Sequence, residues 1–131
     1  MRKIDLGLLV IRISAGGFMM YFHGWPKISG GIDKWTQLGN AAGSMGIHFA
    51  PAAWGFLSAC AEFFGGLCVL LGFRIKYVIP FLLINMLVAI YDQLATGGNS
   101  WIDASHAMEY FLVYLGLWFT GAGKYSLDEL A

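Results

Sequence analysis

At 131 residues the chain has room for one domain, yet 58% of it is hydrophobic and only 12% is charged, about half the charged share of an ordinary soluble domain. Water is therefore not its main solvent. Formal net charge is zero, and with no run of Lys or Arg the electrostatic footprint of a nucleic-acid binder is missing.

The first apolar stretch runs from Leu6 to Phe22. Arg2 and Lys3 precede it and the small residues Ala15, Gly16 and Gly17 lie within it, the outline of a cleaved signal peptide. Arg12 in its middle argues instead for a permanent helix. Pro26 lies just beyond. A long connection follows, in which Lys34, Trp35, Leu38 and Ala41 or Ala42 recur at helical spacing between Ile32 and Met45. That spacing suggests a short helix lying on the outer surface, while the glycines at 30, 31, 39, 43 and 46 fit an irregular cap equally well.

Pro51 opens the second stretch, Ala52 to Leu71, and Gly72 closes it. A tight turn around Phe73 to Lys76 leads to the third, Tyr77 to Ala95, with Pro80 in its first turn, where a missing N–H costs little. The short polar segment Thr96 to Ala104, with Gly97-Gly98, leads to the fourth, Ser105 to Thr120, which Gly121 ends. Each stretch is near the roughly 20 residues, lower limit about 17, that a helix needs to cross a bilayer. The expected fold is all-α: one domain over 1–131, an integral membrane four-helix bundle with helices at about 6–22, 52–71, 77–95 and 105–120.

Orientation follows from the positive-inside rule. With a cytoplasmic N-terminus the inner segments carry Arg2, Lys3, Arg74, Lys76 and Lys124, and the outer ones Lys27 and Lys34, which favours N-in and C-in. Trp25, Trp35, Trp54 and Trp101 then fall at or outside the outer boundary, where aromatic rings sit at headgroup level.

Chemistry would reside in the polar residues of the spans. At 3.6 residues per turn Arg12 shares a face with Gly16, Met19 and His23. Glu62 lies mid-helix among Gly55, Ser58, Gly66 and Val69. Asn85 and Asp92 align on the third helix, and His106 and Glu109 on the fourth. A carboxylate as deep as Glu62 needs a partner or a proton, and Arg12 is the expected partner, an ion pair that could equally serve only to hold helices one and two together. Asp92, His106, Glu109 and His23 fall in the outer third, where they could line a polar cleft with Trp101 and the long connection over it. Asp92 and His106 also fit a purely interfacial role. His23 and His106 would be the axial pair of a b-type haem, for which two lone histidines are weak grounds. No metal site is expected. Cys60 and Cys68, eight apart and so roughly 12 Å along a helix, are too distant to bridge and read as packing residues.

Several runs together carry a family resemblance. They are His23-Gly24-Trp25-Pro26-Lys27 after Arg12, Trp54-Gly55-Phe56 with Glu62-Phe63-Phe64-Gly65-Gly66, and Leu71-Gly72-Phe73-Arg74, followed by Ser105-His106-Ala107-Met108-Glu109 and Gly121-Ala122-Gly123-Lys124-Tyr125-Ser126-Leu127-Asp128. In order and spacing they resemble the DoxX family across nearly the whole chain. The family pattern falls on Arg12, His23, Gly24, Lys27, Glu62, Gly65, Gly66, Arg74, Glu109 and Gly121, and Ala122 stands where many members have proline. The resemblance implies a small membrane subunit related to that of thiosulfate:quinone oxidoreductase, in complexes tied to thiol and oxidative-stress handling.

Three functions follow as expectations. The first is a multi-pass subunit of a quinone-linked or thiol- and sulfur-related oxidoreductase in the inner (cytoplasmic) membrane, with a protein partner or further copies of itself. In it Glu62, Glu109 and His106 handle protons, and Arg12, His23, Lys27, Asp92 and Trp101 line the ligand cleft. No flavin fingerprint or cluster ligand occurs in the sequence, so electrons would come from a partner or from the substrate. The second is a structural or assembly subunit without catalysis. The third is a small transporter or proton pathway, for which four helices without an internal repeat are few.

Overall fold

A computed structural model describes residues 2–96 and 101–130, and among these the regular structure is all helical, with no strand. Helix α1 is Lys3–Ile28, and α2, Ile32–Gly39, continues into a tighter turn, Asn40–Met45. Then come α3 (Pro51–Leu71), α4 (Ile75–Thr96), α5 (Trp101–Thr120) and the short α6 (Leu127–Leu130). Three of these, α1, α3 and the Ile75–Ala95 length of α4, are long and apolar enough to cross a membrane. Helix α5 has the length, but Asp103, His106 and Glu109 make its first half polar. The expected connection over Thr96 to Ala104 lies partly outside the described residues.

Helix α1 runs past its expected end at Phe22. Over Ile13–Gly24 the backbone is wound with wider, π-type turns, and ordinary α-winding resumes at Trp25. Pro26 thus falls in the first turn of a newly started segment, where its missing N–H interrupts nothing. The wide winding also redraws the buried face. Arg12, Ala15, Gly16, Met19 and Gly24 are buried, whereas His23 is only half-buried.

Small residues let α1 lie directly on α3. A Cβ added at Gly66 would sit 2.8 Å from the Gly16 carbonyl oxygen, and one at Gly24 only 2.6 Å from Phe63 Cα, so the two backbones touch as in close membrane-helix pairs. Helix α2 uses the same device. Side chains at Gly39 and Gly55 would collide with the carbonyls of Pro51 and Trp35, and the Trp35 and Phe56 rings meet edge to face at 4.8 Å. The helix expected to lie on the outer surface is therefore packed flush against the first half of α3, because those glycines remove the side chains that would hold it off.

Val69, Ile79, Leu82, Met86, Tyr114 and Leu117 form the centre of the core with Ala15 and Met19. Large apolar side chains such as Tyr21, Phe81 and Phe119 point outward and are exposed, as lipid contact requires. Helix α5 packs mainly on α4 and meets α1 lightly.

Both termini lie at one end of the fold, here the terminal end. Asp128 accepts hydrogen bonds from the Arg74 N–H (2.6 Å) and the Ile75 N–H (3.2 Å), covering donors that the start of α4 leaves without helical partners. Its own N–H reaches the Gly72 carbonyl at 2.9 Å. Asp5, 2% exposed, accepts from the Lys124 N–H at 3.1 Å and pairs with Arg2 at 2.8 Å.

Candidate functional site

Glu62 is 4% exposed in the middle of α3, and its partner is Lys27, not Arg12. The Lys27 ammonium lies 2.8 Å from Oε1 and 2.7 Å from Oε2. Its hydrogen bond is directed at Oε1, so Oε2 has the charge contact but no hydrogen bond among the described residues. The Asn85 amide donates to Oε1 at 3.1 Å, and Ser58 donates to the Asn85 carbonyl oxygen at 2.7 Å. The pair forms because Gly24 seats α1 on the backbone of Glu62 and Phe63 and the next turn delivers Lys27. A buried carboxylate thus has a counter-charge and two hydrogen-bonded polar neighbours, which offset the several kcal/mol that stripping water from an ion costs. The cluster ties α1, α3 and α4 together.

Arg12, 1% exposed, is spent at the terminal end. Its guanidinium donates to the carbonyls of Val69 (3.0 Å), Leu70 (2.7 Å), Ala122 (3.0 Å) and Tyr125 (2.8 Å). Two of these belong to the last turn of α3, which carries the negative end of the helix dipole; Val69 O also accepts from the Gly72 N–H, at 3.1 Å. Arg12 therefore does for the end of α3 what Asp128 does for the start of α4. The expected Arg12–Glu62 pair fails because the two lie on different levels of the bundle.

A groove of about 440 Å³ opens between α1 and α5, lined by Val10, Ile11, Ser14, Ala15, His106, Glu109, Tyr110 and Val113. Its polar groups gather toward the far end, and Val10, Ile11 and Val113 lie toward the terminal end. Behind it the rings are continuous. His23 meets His106 at 4.7 Å and Tyr110 at 5.8 Å, His106 meets Tyr110 at 4.8 Å, and Tyr110 meets Tyr114 at 5.8 Å. Tyr114 donates to the Ala15 carbonyl at 2.8 Å, pinning α5 to α1. Glu109 is exposed and makes no ion pair or hydrogen bond with the described residues.

Of the residues expected at an outer cleft, the structure brings His106 and Glu109 to this groove, and His23 stands behind its wall, ring to ring with His106. Lys27 joins Glu62 and Arg12 the terminal end. Asp92 bonds to Ser44 at 2.5 Å, and Trp101 stands 69% exposed at the start of α5. Neither lines the groove. Tyr110 and Tyr114, unforeseen from the sequence, carried a legible signal, since they continue the His106 face at intervals of four. A second hollow, about 390 Å³, lies beside Asn40, Ser44 and His48 at the other end of the fold.

The family model described as DoxX matches residues 7–95. This chain is a member of the DoxX family. The match takes in α1 to α4 and so contains Lys27, Glu62, Asn85 and Arg12, whereas α5, with the polar wall of the groove, lies beyond it. No curated protein and no solved structure matches this DoxX chain. Among the described residues no three His, Cys, Asp or Glu side chains converge as metal ligands.

Proposed function

We propose that this DoxX protein is a small subunit of a quinone-linked or thiol- and sulfur-related membrane oxidoreductase, and that the groove between α1 and α5 takes the quinone. The observation that carries this reading is the polarity of the groove. A ring with hydrogen-bonding oxygens suits the end at His106, Glu109, Tyr110 and Ser14, and an isoprenoid tail suits Val10, Ile11 and Val113. Reduction consumes two electrons and two protons. The electrons come from a partner subunit or from the sulfur substrate, and His106 and Glu109 hand protons to the ring oxygens. The chain spans the bilayer with four helices, α5 included, in the inner (cytoplasmic) membrane with the terminal end inside. Lys27, drawn to Glu62, no longer counts as a loop cation, so five inner cations stand against Lys34 alone.

A second reading, a structural subunit that assembles with a partner or with further copies, is favoured by the full engagement of Arg12, Lys27 and Glu62 in packing. Glu109→Gln separates the two, because Glu109 makes no ion pair or hydrogen bond among the described residues. In the first reading the variant assembles normally and loses quinone retention and activity in the parent complex. Unchanged activity, or assembly lost in step with activity, overturns it.

A further inference from the structure

The groove's protons need a route, and among the described residues the ring of His23 stands behind its wall. That ring belongs to α1, half-buried, with faces or edges against His106 and Tyr110 of α5, the two aromatic residues that line the groove. The charges of Lys27 and Glu62 are also near enough to act electrostatically on it. Besides these four, the neighbourhood holds Glu109, which lines the groove on α5, and Tyr114, ring to ring with Tyr110 at 5.8 Å. His23 thus neighbours both a buried ion pair, tied to Asn85 of α4, and the wall of the groove. It makes no hydrogen bond to any described residue, so both ring nitrogens remain free to exchange a proton.

We propose that His23 is the proton-transfer residue behind the groove, passing protons to His106 and Tyr110 as these supply the groove's occupant. The proposal rests on the quinone reading. As a ring oxygen takes a proton from His106, His106 regains one from His23 through an intervening water, since the two rings stack at 4.7 Å without a hydrogen bond, and His23 is reprotonated from water at the far end of α1, close to which it lies. The Lys27–Glu62 pair does not give up its own proton. It holds α1 in register and sets a fixed field at His23, which makes the pair positioning rather than catalytic. Two such transfers accompany two electrons, and quinone becomes quinol with atoms and charge in balance.

The test supplies the electrons chemically, so that the protein contributes only protons. The full chain in nanodiscs is loaded with decylubiquinone, and dithionite reduces the bound quinone while its absorbance is followed at several pH values in H₂O and D₂O. His23→Phe keeps a ring in the stack and removes the titratable group, and His23→Gln guards against a folding failure specific to phenylalanine. The expected result is unchanged decylubiquinone affinity with reduction slowed about 100-fold, the lower end of what a positioned proton donor contributes, together with loss of the pH dependence and solvent isotope effect of the wild-type rate. Wild-type rate and pH profile in both variants, with quinone bound, overturn the role of His23 and leave the groove reading standing. Failure of the wild-type chain to bind decylubiquinone overturns the groove reading, and this proposal with it.

Discussion

Replacing Arg12 by methionine removes a charge from the interior without stranding another, so the cost falls on the carbonyls it leaves. Val69 O keeps a hydrogen bond from the Gly72 N–H at 3.1 Å, but Leu70, Ala122 and Tyr125 lose the donor that holds them. Three unsatisfied acceptors, one buried and two part-buried, at about 1–3 kcal/mol each amount to roughly 3–9 kcal/mol. Relief from burying the guanidinium returns about 1–4 kcal/mol of that, leaving a net loss of about 2–5 kcal/mol. Arg12→Lys keeps the charge, but a single ammonium cannot fork to acceptors on two sides, so about half of the loss remains. The loss is localised, because two of the four acceptors lie in the segment after α5. Unfolding in mixed micelles followed by circular dichroism gives the magnitude, and trypsin cleavage after Lys124 reports release of that segment. Methionine at position 12 with stability within 1 kcal/mol of wild type and Lys124 still protected would refute this account of the buried guanidinium.

Lys27→Met and Glu62→Gln should each cost about 3–5 kcal/mol by leaving a partner unmatched in the interior, and the double variant far less than their sum; simple additivity in folded yield would sink the pairing. Gly16→Ala places a methyl group against the α3 backbone at Leu70 and should destabilise by about 1–3 kcal/mol through overpacking, whereas Gly116→Ala, which meets nothing within 4 Å, should be neutral in the same unfolding assay. For topology, cysteines placed at Ser29 and at Lys124 should react with an impermeant maleimide from opposite sides of the inner membrane, Ser29 from outside; labelling of both from one side contradicts the four-span arrangement.

The helical, membrane-embedded character was legible because it rests on long apolar runs and on prolines and glycines at their ends. Pairing across the bundle was not. Arg12 and Glu62 look like partners on a plain helical wheel, but the wide winding over Ile13–Gly24 shifts what α1 offers at each level, and no pattern of apolar residues announces it. Lys27 looks like a loop cation for the same reason, since Pro26 marks a helix end in sequence and only the change of winding makes it a helix start. The groove was legible in half. His106 and Glu109 share an obvious face, but the stacking of His23 on His106 depends on how far α1 and α5 splay, a tertiary quantity. The backbone acceptors of Arg12 have no side-chain signature at all, so no reading of residue types could have found them.

The distribution of those acceptors along the chain also sets a timetable. Arg12 enters the membrane with the first helix, but its nearest acceptors in sequence are 57 and 58 residues further on and its last is 113 residues further on. At about 5–20 residues per second of synthesis, the guanidinium waits roughly 6–23 s for its full set. During that interval a cation in the path of a nascent helix must stay at the lipid surface, or within the insertion machinery, before α1 can settle to its final depth. Maturation of the first segment is thereby coupled to arrival of the residues beyond α5, and a ribosome that stalls before them leaves a helix with a charge it cannot bury, a mark by which quality control can tell an unfinished copy from a finished one.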